Sequence, residues 1–167
     1  MRSLLDVNVL IALLDAAHVH HRLASAWLAR NIRHGWASCP ITQIGCIRIM
    51  SQPAYPNARP AAQVAERLRD AAADRHHEFW PADVDLLDSR AIDWSRVLTS
   101  RHVTDLYLLG LAVAKGGRFV YCGATTGPEG KVSIAATYWK SQSILGSTMG
   151  TRQDLRLTVC PTLRTSP

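Results

Sequence analysis

Asp6 sits inside an otherwise apolar run, Leu4-Leu5-Asp6-Val7-Asn8-Val9-Leu10-Ile11-Ala12-Leu13-Leu14. Such a run can only be core, and an ionised Asp is almost never fully buried unless it is paired or bound to a cation. A second acid opens another apolar run, Asp105-Leu106-Tyr107-Leu108-Leu109-Gly110-Leu111-Ala112-Val113-Ala114. Two carboxylates brought to one rim would make a hard-oxygen site suited to Mg²⁺ or Mn²⁺. A plainer reading competes for both. Each Asp could simply cap or stabilise a helix N-terminus, with Asn8 making a local turn.

The flanks of Asp6 read as a short strand ending near Leu5 and a helix starting near Val7. Asp6 then stands at the carboxyl end of a strand, where open α/β sheets hold their ligands. Around Asp105 the apolar spacing predicts a nearly all-round buried helix, with Thr104 as its N-cap and Asp105 in its first turn. Gly116-Gly117 stops that helix, and Arg118-Phe119-Val120-Tyr121 reads as a new strand. Between the two acids the chain reads as mostly helical. Ala17 to Arg30 carries Leu23, Trp27 and Leu28 at helical spacing, and Ala61 to Phe79 reads as one amphipathic helix with Val64, Leu68 and Ala72 inward. Trp80-Pro81 ends it, and Ser51 to Asn57 is a Pro-rich loop.

Four segments in order now carry a resemblance. They are Asp6-Val7-Asn8-Val9-Leu10, Cys39-Pro40-Ile41-Thr42-Gln43-Ile44-Gly45, Arg48-Ile49-Met50-Ser51-Gln52-Pro53-Ala54-Tyr55-Pro56, and His102-Val103-Thr104-Asp105-Leu106-Tyr107-Leu108. Together they resemble the motif string of the PIN-domain nucleases, and most of all the VapC toxins of bacterial type II toxin–antitoxin modules. The resemblance spans residues 1–120. It implies a three-layer α/β/α sandwich with a mostly parallel sheet, its last strand near 118–122. It also implies Mg²⁺-dependent RNA cleavage (with Mn²⁺ as the alternative ion), a cognate antitoxin that holds the enzyme inactive, and a homodimer. Asp6 and Asp105 take the catalytic and metal-binding positions, with Asn8, Thr42, Gln43 and Thr104 supporting them.

The resemblance breaks in two places. The family usually supplies an acid near Thr42, where this chain has Gln43, a neutral amide that can orient water or RNA but adds no charge. After Gly116-Gly117-Arg118-Phe119-Val120 the family continues Thr-Phe-Asp, whereas this chain reads Tyr121-Cys122-Gly123. Gly123 therefore stands where another carboxylate belongs, which implies weakened activity. Beyond the break, Gly117 to Pro128 and Tyr138 to Thr151 resemble a piece of the zinc-type medium-chain alcohol dehydrogenase and quinone reductase family. Residues 121–167 are thus expected to be an atypical, fused and partly disordered segment.

Composition fits an RNA-binding role without requiring one. The net charge is +6, from 16 Arg and only 3 Lys among the cations, and guanidinium pairs bidentately with phosphate. Cys39, Cys46, Cys122 and Cys160 show no paired spacing, so reduced thiols and a cytoplasmic location are expected. The N-terminal apolar stretch is too short to cross a membrane. His18, His20 and His21 lack a partner at zinc-ligand spacing, and Asp83, Asp85, Asp88 and Asp93 read mainly as solvated loop residues.

The expected function is a Mg²⁺-dependent endoribonuclease toxin. The alternative is a non-catalytic PIN-like protein that binds antitoxin or RNA without turnover. A nicotinamide-dependent reductase is excluded by the want of any G-x-G-x-x-G turn or catalytic zinc constellation.

Overall fold

The computed structural model describes residues 1–87, 100 and 103–121. Four short strands, β1 (Ser3–Leu5), β2 (Trp36–Ser38), β3 (His77–Phe79) and β4 (Arg118–Val120), form one sheet in the order β3-β2-β1-β4. All three pairings are parallel. Each crossover is made by helix, as parallel strands demand. These helices are α1 (Val7–Leu14), α2 (His21–Asn31), α3 (Pro40–Met50), α4 (Ala61–Ala72) and α5 (Val103–Ala114).

Alternation along β1 divides the core. Leu5 packs with Val9, Leu10, Trp27, Met50, Val64 and Leu68, which come from α1 to α4. Leu4 points the other way, into a cluster with Leu108, Leu111 and Ala112 of α5 and with Phe119 and Trp80. A sheet buried on both faces at its centre explains why β1 reads as part of a continuous apolar run. The expected α/β/α sandwich with a parallel sheet is what the chain forms.

Helix α5 ends as Gly116-Gly117 suggests. Gly116 takes a φ of 64°, its N–H donates to the Val113 carbonyl, and the Gly117 N–H donates to the Ala112 carbonyl. This is the paired C-terminal closure that favours Gly. Gly117 also lies tight against Trp80, where a Cβ would come within 2.3 Å of the indole.

Three sequence expectations need correction. The helix expected from Ala17 begins at His21, because Asp15 captures the Ala17 N–H at 3.0 Å in a local turn. The helix expected to run to Phe79 stops at Ala72, and His77–Phe79 becomes the edge strand β3. Thr104 lies inside the first turn of α5 and not ahead of it. Asp88, Asp93, His102, Cys122, Gly123, Cys160 and the alcohol-dehydrogenase-like stretches beyond Tyr121 fall outside the described residues. No helix among the described residues is long and apolar enough to cross a membrane.

Candidate active site

Asp6 directly follows β1 and serves as the N-cap of α1. Its Oδ2 accepts from the Asn8 N–H at 3.3 Å, and its own N–H donates to the Val120 carbonyl at 2.8 Å. Both readings of this residue therefore hold at once: it caps a helix, and it is a buried carboxylate at the carboxyl rim of the sheet. Burial pushes its carboxyl up to about 6, against the pull of the Val7 and Asn8 N–H groups and the Asn8 side chain. The charge of Asp105 adds to the upward push.

The topology puts the two acids at the same end of the sheet, since α5 starts where its strands end. Asp105 sits in the first turn of α5, the helix packed on the face of the sheet that Leu4 and Phe119 share. Its charge is felt both by Asp6 and by Tyr121, the residue after β4. The rim thus holds Asp6, Asn8, Asp105 and Tyr121, contributed by the ends of β1 and β4 and the starts of α1 and α5. Two carboxylates that repel each other, one of them buried, form a donor set that a hard divalent cation would neutralise. The described residues contain no group of three or more metal-ligating side chains.

Thr42 and Gln43 direct their hydrogen bonds elsewhere. The Thr42 hydroxyl is fully buried; it accepts from the Cys39 N–H at 3.0 Å and donates to the Cys39 carbonyl at 3.1 Å, tying off the start of α3. The Gln43 amide donates to Ser38 Oγ at 2.9 Å, and that hydroxyl in turn lies 2.9 Å from His77 Nε2. The His77 ring packs at 4.3 Å from Trp36. Thr104 is exposed on the first turn of α5.

Sequence reasoning missed a second buried acid. Asp15, at the end of α1, accepts from the Tyr55 hydroxyl at 2.6 Å and from the Asn57 amide at 3.1 Å. Burial acts to raise its carboxyl, but the hydrogen bonds from Tyr55, Asn57 and Ala17 prevail and hold it below the usual range. The only signal in the sequence is an Asp at the end of an apolar helix and two polar residues in a Pro-rich loop. The histidines behave as structural residues: His21 Nδ1 meets the Ala12 carbonyl at 2.8 Å, and the His18 and His20 rings pack 5.5 Å apart. Asp83 pairs with Lys115 at 2.6 Å.

Comparison with known proteins decides the family. Ribonuclease VapC44 of Mycobacterium tuberculosis is 54% identical over 120 residues, 72% of this chain and 84% of the relative. The chain belongs to the VapC ribonuclease family. Two further mycobacterial relatives agree. Ribonuclease VapC39 is 43% identical over 122 residues, 72% of this chain and 87% of the relative. Ribonuclease VapC38 is 38% identical over 119 residues, 71% and 82% of the two chains. No protein-family model matches the chain. The likeness to VapC lies in its N-terminal 72%. The crystal structure of VapBC2 from Rickettsia felis bound to a DNA fragment from their promoter shares the fold, with a TM-score of 0.50 at 13% identity. It covers 72% of this VapC-family chain and 86% of that one.

Proposed function

We propose that the protein is a Mg²⁺-dependent endoribonuclease toxin of a type II toxin–antitoxin module, acting on RNA in the cytoplasm. The observation that carries this reading is the Asp6–Asp105 pair at the carboxyl rim of a parallel sheet, in a chain of the VapC family. Asp6 and Asp105 would hold the ion, with Mn²⁺ as a substitute. Bound there, Mg²⁺ supplies a Lewis acid for the scissile phosphate and lowers the pKa of an attacking water. Asn8 keeps the Asp6 carboxylate turned to the rim through its N–H. Thr42 and Gln43 support the site at one remove, by fixing the start of α3 through Cys39 and Ser38. Single-stranded RNA suits the site best, because unstacked bases let the backbone approach a recessed acidic rim.

The cognate antitoxin belongs to the same reading. A groove of about 420 Å³ runs between α1, α2 and α4, lined by Leu10, Leu14, Leu28, Ile32 and Leu68 among others. It offers an apolar segment of a partner a place to dock. Trp27 on α2 and Leu68 on α4, only 7% and 4% exposed, belong to the core beneath it. A homodimer belongs to the same proposal.

Residues 121–167 are, in this reading, a segment foreign to VapC that replaces the end of the domain. Its Gly123 removes a carboxylate and weakens metal binding. The decisive experiment is Mg²⁺-dependent cleavage of single-stranded RNA by wild type, Asp6→Asn and Asp105→Asn. Loss of cleavage in both variants, with folding retained, is expected, and full activity in either would remove the assignment. Gly123→Asp should raise both Mg²⁺ affinity and rate. A folded wild type that binds Mn²⁺ and antitoxin but cuts no RNA would establish the non-catalytic alternative.

A further inference from the structure

Tyr121 stands at a position that neither the acids nor the family motifs account for. Leu5 pairs with Val120 in the β1–β4 register, and the Asp6 N–H closes on the Val120 carbonyl at 2.8 Å. Asp6 and Tyr121 are therefore the next residues along two adjacent parallel strands. Alternation turns the Tyr121 side chain to the α5 side. There it packs against the cluster of Leu108, Leu111 and Phe119, and its ring stacks on Phe119 with centroids 6.1 Å apart and planes 27° from parallel. The ring is half-buried, so part of it still reaches solvent. Its place one residue past Val120, beside Asp6 on the adjacent strand, puts it at the candidate site and not merely in the core.

We infer that Tyr121 is a substrate-positioning residue, an aromatic platform on which a nucleobase next to the scissile phosphate of single-stranded RNA stacks. This rests on the ribonuclease reading above and names how the same rim grips its substrate. An acidic rim repels a phosphodiester backbone, so affinity for a strand must come from contacts beside the acids. Base–aromatic stacking supplies such a contact without regard to sequence, because every base has a π-face. Phe119 beneath the ring fixes its plane, so little side-chain freedom is lost on binding. The ring is also uncharged at neutral pH, as an ordinary phenol is. It therefore adds no repulsion of its own.

The test compares Tyr121→Leu, which keeps apolar bulk without a π-face, with Tyr121→Phe and Tyr121→Trp. RNA affinity is read by fluorescence polarisation of a labelled single-stranded RNA in Mn²⁺, in an Asp6→Asn background that cannot cut. Mn²⁺ affinity is read by calorimetry, and KM and kcat are measured in the otherwise wild-type chain. Tyr121→Leu should weaken RNA binding about ten-fold and raise KM similarly, the size of one stacked base. Mn²⁺ affinity and kcat should hold, and Phe and Trp should bind as Tyr does. RNA carrying abasic nucleotides should bind wild type and Tyr121→Leu alike. If wild type cuts RNA but Tyr121→Leu binds it equally well, or Phe fails as Leu does, the platform is overturned while the ribonuclease reading stands. If wild type neither binds nor cuts RNA in Mn²⁺, both are overturned together.

Discussion

The Tyr55 hydroxyl donates to Asp15 Oδ2 at 2.6 Å across 40 residues of chain, locking the Pro-rich loop onto the end of α1. Asn57 adds a second donor to the same carboxylate. Removing the hydroxyl with Tyr55→Phe should destabilise the protein by about 1–3 kcal/mol, the range for a hydrogen bond to a charged, buried partner. The effect should depend on pH in one direction. The hydrogen bonds hold the Asp15 pKa below its unfolded value, so their contribution is full above that value and is lost as pH falls through the folded pKa. Urea melts of wild type and variant should differ at neutral pH and converge in acid. An equal gap at both pH values would show that the carboxylate is not what Tyr55 holds.

Asp6 should show the opposite slope. Its folded pKa is raised to about 6 from an ordinary 3.8. The folded state therefore keeps a proton that the unfolded state releases, and stability falls as pH rises from about 4 to about 6. Asp6→Asn removes that penalty, and the variant should be more stable than the metal-free wild type by about 1–3 kcal/mol at pH 8. The gain should vanish near pH 4. Mn²⁺ should raise the melting temperature of wild type at pH 8 and leave Asp6→Asn nearly unmoved. A variant less stable than wild type at every pH would mean that the capping hydrogen bond outweighs the buried charge.

These two acids differ in how legible they were. Asp6 stands out because a carboxylate in an apolar run is costly to bury and so marks itself, whereas Asp105, which is exposed, stands out only by opening a second apolar run. The strand before Asp6, the helix after Asp105 and the Gly116-Gly117 closure follow from apolar periodicity and from glycine chemistry. Trp36–Ser38 and His77–Phe79 left no such mark. Three residues are too few to show a period, and β3 is a sheet edge with Phe79 half exposed. An Ala-rich, charged helix running into it hid the boundary at Ala72. The Asp15–Tyr55 contact and the Gln43–Ser38–His77 chain are tertiary, joining residues whose local sequence gives no reason to pair.

The groove between α1, α2 and α4 gives a prediction that leaves the rim untouched. Ala29 lines it from an exposed position on α2, so Ala29→Arg should fold normally while placing a long cationic side chain in the groove. Inhibition by the cognate antitoxin should weaken at least about ten-fold, or roughly 1.4 kcal/mol. RNA cleavage by the free enzyme should be unchanged. Undiminished inhibition in a titration would move the antitoxin to another face.

Gly45 links packing to the site most directly. It is where α3 crosses the start of α1, and a Cβ there would come within 2.5 Å of Val7 Cγ2 and 3.2 Å of Val7 Cγ1. Val7 is branched at Cβ and cannot swing aside within a helix at little cost, so the two helices must part. Gly45→Ala should therefore destabilise by about 1–3 kcal/mol, the usual range for an overpacked contact, even though Ala is the better helix former. Val7 directly follows Asp6, so the displacement should also reach the rim, and Mn²⁺ affinity should fall along with the melting temperature. The double change Val7→Ala with Gly45→Ala makes room for the new methyl and should restore much of both. If Mn²⁺ affinity stays at the wild-type level while stability drops, then the position of Asp6 is set by its bond to Val120 on the β4 side and not by the packing of α3.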